Sequence, residues 1–70
     1  MGDWIATLED AIRGAKREGT IEKREDAAQL AFELESFLFL ANTQFALSGS
    51  AEPVKAGRRA IDRRLKEAAA

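Results

Sequence analysis

The stretch from Asp26 to Leu47 constrains this chain more than any other part, because it is patterned as one helix with apolar residues on two opposite sides. With Leu30 at zero and about 100° per residue, Leu30, Leu34, Phe37, Leu38, Ala41 and Phe45 gather within about one quadrant. Phe32, Phe39, Leu40, Ala46 and Leu47 fall on the opposite side. Glu35 and Asn42 mark one polar seam between these faces, and Glu33 and Gln44 mark the other. A surface helix of a monomer carries one apolar stripe; a helix that is apolar nearly all round is a buried one.

The flanking segments offer less. Trp4, Ile5, Leu8, Ala11, Ile12 and Ala15 share one face of a helix expected over residues 3–18, with Asp3 as its cap and Gly19 as its stop. Thr20 to Glu25 is a polar connector with one apolar anchor, Ile21. Asp26 and Gln29 match a capping box at the start of the middle helix, expected over residues 26–47. Ser48-Gly49-Ser50 breaks that helix, and a third follows over residues 51–68, with Ser50 as its cap and Pro53 in its first turn. Val54, Ile61 and Leu65 form its narrow stripe, extended by Gly57 and Ala68.

Two such helices cover one face of the middle helix and leave the other. The uncovered face is expected to be the one bearing Phe32, Ser36, Phe39, Thr43 and Ala46, whose alternating steps of four and three are those of a helix–helix seam. Periodicity does not by itself exclude the other face. Burying Phe32, Phe39, Leu40 and Leu47 is worth on the order of 6–12 kcal/mol before association entropy is subtracted. That rivals the whole stability of a small domain. The alternatives are a monomer in which Phe32 and Phe39 pack under the third helix, and a larger parent chain of which a further part covers them. The favoured expectation is a homodimer in which two helices from each copy form a four-helix bundle. Its interface would use Phe32, Ser36, Phe39, Leu40, Thr43, Ala46 and Leu47, with Gly57, Arg58, Ile61 and Arg64 from the third helix. Arg58 and Arg64 flank the stripe and would reach Glu35 of the other copy.

Composition points the same way. A chain of 70 residues makes at most one domain, and one this short usually needs a disulfide, a metal or a partner. Cys, His and Tyr are absent, so there is no disulfide and neither of the usual soft metal ligands nor the commonest neutral-pH base. Glu33 and Glu35 point to different sides of the helix and make no catalytic pair, and no phosphate loop or nucleophile–base pair is present. No enzyme, cofactor or metal is expected. No apolar run reaches membrane-spanning length, and the N-terminus is not patterned as a signal peptide, which fits the cytoplasm. The basic side of the third helix, with Lys55, Arg58, Arg59, Arg63, Arg64 and Lys66, reads as a solvated face rather than a nucleic-acid contact, since Glu52, Asp62 and Glu67 offset it and no aromatic is interleaved.

The runs Asp26-Ala27-Ala28-Gln29-Leu30-Ala31-Phe32-Glu33-Leu34, Leu40-Ala41-Asn42, Phe45-Ala46-Leu47, Ser48-Gly49-Ser50 and Arg58-Arg59-Ala60-Ile61 resemble the C-terminal end of TetR-family transcriptional repressors. Asp3 to Gly19 resembles the helix just before it. The resemblance implies an all-α, three-helix antiparallel arrangement whose last two helices make a four-helix-bundle dimer. It also implies a small, apolar effector, for which Trp4, Leu8, Phe37, Ala41 and Phe45 are the candidate pocket residues. Leu40 departs from the small residue many relatives place there. The family's helix-turn-helix is not among these residues, so the chain is expected to be a C-terminal portion that does not read DNA by itself. The rival expectation is a free-standing helical interaction module, antitoxin-like or adaptor-like.

Overall fold

The computed structural model describes residues 2–70, with side chains from Trp4 onward. It is all-α: α1 spans Gly2–Glu18, α2 Ala27–Ser48 and α3 Glu52–Ala68. The cap expected of Asp3 lies outside the described side chains.

Local chemistry sets the boundaries. Gly19 takes φ 86° past the end of α1, and Gly49 takes φ 72° past the end of α2, donating its N–H to the Phe45 carbonyl at 2.7 Å. Both are left-handed conformations that favour glycine. Asp26 sits in extended backbone and its Oδ1 accepts the Gln29 N–H at 3.1 Å, the aspartate half of the expected box. The Ser50 hydroxyl accepts the Glu52 N–H at 3.1 Å, so Ser50 supplies the oxygen while the regular helix starts at Glu52 instead of Ala51. One-residue differences of this kind are inherent to fraying helix ends.

α1 and α3 each pack on α2, antiparallel to it, and not on one another. The molecule measures 40 × 25 × 14 Å. A width of 25 Å is what three helices side by side need at spacings of about 8–10 Å. α2 is thus the middle plank of a thin layer, with a neighbour at each edge and two faces toward solvent.

The core lies at one end of this layer. Ile12, Ala27, Leu30, Ala31 and Ala68 are buried, with Leu8, Ile21 and Leu34 packed against them. Ile21 therefore does anchor the connector. Two further ties close this end. Ile21 and Ala69 form an antiparallel bridge, with the Glu22 N–H on the Ala68 carbonyl at 2.8 Å and the Ala70 N–H on the Thr20 carbonyl at 3.1 Å. Arg64 of α3 clasps Glu25 with both terminal nitrogens, Nη2 at 2.7 Å and Nη1 at 3.1 Å, while its Nε donates to Glu33 of α2 at 3.0 Å. The Glu25 carboxyl is held below the usual carboxylate range, chiefly by the hydrogen bonds from Arg64 and despite partial burial. The same bonds raise the Arg64 guanidinium above its ordinary value.

At the other end the expected coverage of α2 is incomplete. Of the face carrying Leu30, Leu34, Phe37, Leu38, Ala41 and Phe45, Leu30 and Ala41 are buried, but Leu38 and Phe45 are exposed. Length explains this. The indole Nε1 of Trp4, near the start of α1, donates to Oε2 of Glu35, so α1 runs beside only the first half of α2.

Candidate interaction surface

The opposite face of α2 has no cover among the described residues. Phe32, Phe39, Leu40 and Leu47 keep 64, 59, 56 and 84 % of their surface exposed. Ser36 lies among them without an unmet hydroxyl, since its Oγ donates to the Phe32 carbonyl at 2.7 Å. The polar atom is turned back on the helix, leaving a smooth spot between two phenyl rings. Ala46 is exposed and Thr43 half-buried. The surface is an apolar strip flanked by two clefts. On the α1 side, Ile5, Phe32, Glu35, Ser36 and Phe39 line a cleft of about 210 Å³. On the α3 side, Leu40 and Gln44 share a cleft of about 180 Å³ with Pro53, Ala56, Gly57 and Ala60.

The total area agrees with the flat shape. A compact monomer of this mass exposes about 4,300 Å². This chain exposes 4984 Å². The difference, on the order of 600–700 Å², is the extra surface of a layer one helix thick.

The third-helix residues expected at the interface divide. Gly57 is buried against its own α2: a Cβ there would lie 2.8 Å from the Ala41 Cβ and 3.3 Å from the Phe37 carbonyl oxygen. Ile61, four residues on, shares that inner side and is half-buried. Arg64 is engaged by Glu25 and Glu33 of its own chain. Arg58 is exposed, but it lies on the flank of α3 away from Ala56 and Ala60, which border Leu40. The residues of α3 that do extend the apolar strip are Pro53, Ala56 and Ala60. Sequence reasoning missed them because alanine carries almost no apolar contrast; their spacing of three and four was the available signal.

The candidate effector residues do not converge. Leu8 packs on the buried core, Trp4 turns to Glu35, and Phe37 and Ala41 are taken up by the close passage of Gly57. Phe45 stands exposed beyond the reach of α1. Among the described residues no cluster of acidic side chains is arranged to hold a metal ion. No described helix is long and apolar enough to cross a membrane.

A family model described as "Tetracyclin repressor-like, C-terminal domain" matches residues 1–61. Comparisons with curated proteins and with solved structures give no match. The match spans all of α1 and α2 and the first ten residues of α3, the three helices that carry the exposed strip. The chain belongs to the tetracyclin repressor-like C-terminal domain family.

Proposed function

We propose that this chain is the dimerisation portion of a TetR-like transcriptional regulator, pairing two copies through the strip of Phe32, Ser36, Phe39, Leu40, Thr43, Ala46 and Leu47, with Pro53, Ala56 and Ala60 of α3 beside it. Its role is associative, not catalytic, and is carried out in the cytoplasm. The observation that carries this reading is the exposure of Phe32 and Phe39 on the middle helix of a thin layer. Such a strip left in water promotes aggregation, whereas a second copy turns two one-sided layers into a bundle with a shared core. DNA would be read by helix-turn-helix heads outside these 70 residues, which the dimer holds at a fixed spacing.

A small apolar effector would use the opposite face, where Leu38 and Phe45 are exposed beyond the start of α1 and Trp4 is exposed at that start. The test is an isotope-filtered NMR experiment on a mixture of labelled and unlabelled chains. Contacts between the Phe32 and Phe39 rings of one copy and the other copy are expected. Contacts from Leu38 and Phe45 instead would assign the interface to the wrong face, and an absence of any contact between copies would favour a module that serves a different protein.

A further inference from the structure

We propose that Glu35 of each protomer pairs with Arg63 of the partner subunit, which fixes the two α2 helices parallel to one another across the dimer axis. This rests on the dimer proposed above and adds its orientation. The starting point is a charge imbalance across the apolar strip. On the α1 side, Glu35 faces the cleft of Ile5, Phe32, Ser36 and Phe39; one of its oxygens takes the Trp4 indole N–H, and no cation lies within ion-pair distance among the described residues. It is a half-buried carboxylate beside two phenyl rings with no counter-charge. On the α3 side, Ala56, Ala60 and Arg63 follow one another at i, i+4 and i+7 and so form one stripe, and Ala56 and Ala60 line the cleft with Leu40. Arg63 continues that stripe, is exposed, and has no carboxylate within ion-pair distance among the described residues.

Symmetry then decides between two arrangements. A closed pair of identical faces needs a two-fold axis lying between the layers. If that axis runs parallel to α2, it carries the α3 edge of one copy over the α1 edge of the other and preserves height along α2. Gly57 lies level with the turn between Phe37 and Ala41, and Arg64 reaches Glu33. Arg63 therefore sits within about two residues of the height of Glu35, roughly 3 Å along the axis and within reach of an arginine side chain. If the axis instead runs across α2, α3 of one copy lies over α3 of the other, and Arg63 stays on the edge away from Glu35 of the partner. Only the axis parallel to α2 brings each of these two charges to an opposite one, and it does so twice, so the parallel arrangement is favoured.

The dimer dissociation constant, measured by dilution at fixed salt for the whole chain, tests this. Glu35→Arg and Arg63→Glu are each expected to weaken association roughly ten-fold or more, and the double exchange to bring it back close to the wild type. Arg58→Glu, on the other flank of α3, is expected to change nothing. Glu35→Gln keeps an acceptor for the Trp4 indole while removing the charge, so weakening there with helicity unchanged separates lost pairing from lost folding. Reversals without effect, or a double exchange no tighter than either single, would overturn the pairing. If Phe39→Glu dissociates the dimer and Glu35→Arg does not, the interface stands and only its charge pairing falls. A wild-type chain that never dimerises would overturn both.

Discussion

Gly57 of α3 crosses Ala41 of α2 so closely that a single added methyl at Gly57 would lie 2.8 Å from the Ala41 Cβ. Neither neighbour can yield, since one is a Cβ and the other the backbone carbonyl of Phe37. Gly57→Ala improves helix propensity by about 0.5–1 kcal/mol. The overlap should outweigh that gain and leave a net loss of about 1–2 kcal/mol. Thermal unfolding checks it. Ala41→Gly in the same chain should recover part of the loss, and an unchanged or raised midpoint for Gly57→Ala alone would show that the helices stand further apart.

Arg64 joins α3 both to the connector and to α2 through Glu25 and Glu33, at side-chain exposures of 17, 16 and 29 %. Arg64→Met leaves two carboxylates facing each other with no cation between them. A loss of about 2–3 kcal/mol is expected in urea unfolding, a large share of what a chain of this size possesses.

The same clasp sets an acid dependence. Glu25 titrates below its ordinary value in the folded chain, mainly because Arg64 donates to its ionised form. The unfolded chain therefore takes up this proton first as pH falls. The stabilisation is fully present above the ordinary glutamate value of about 4.3 and is lost as pH drops through the lower folded value. Urea midpoints followed down from about pH 5.5 should fall in this window for the wild type. In Glu25→Gln they should start lower and fall less steeply.

Helix ends and the apolar pattern of α2 were legible in the sequence because each has a local cause. Gly19, Gly49 and Asp26 act on backbone within a turn of themselves, and the sides bearing Leu30 and Phe32 follow from angle alone. Angle does not tell how far a neighbouring helix extends. The exposure of Leu38 and Phe45 depends on α1 starting level with Glu35, a fact of length and register. The clasp of Glu25 by Arg64 joins residues 39 apart and leaves no periodic trace. Gly57 and Arg64 contact their own α2, and angle alone does not distinguish such packing from a stripe that meets another copy.

The closing alanines illustrate the same limit, because their role is carried by backbone. The Glu22 N–H bonds the Ala68 carbonyl and the Ala70 N–H bonds the Thr20 carbonyl. Removing Ala69 and Ala70 deletes the bond to the Thr20 carbonyl and leaves Ala68 as a fraying end, so it should cost about 1 kcal/mol and speed exchange at the Glu22 amide while amides in mid-α2 are much less affected.

Sedimentation equilibrium of the purified chain over a concentration series tests the central claim most directly. A species of twice the 7.7 kDa chain mass is predicted for the wild type, and its loss in Phe39→Glu, with α1–α3 helicity retained at concentrations where that variant is soluble. A wild-type chain that stays at the single-chain mass while folded and soluble would contradict the account.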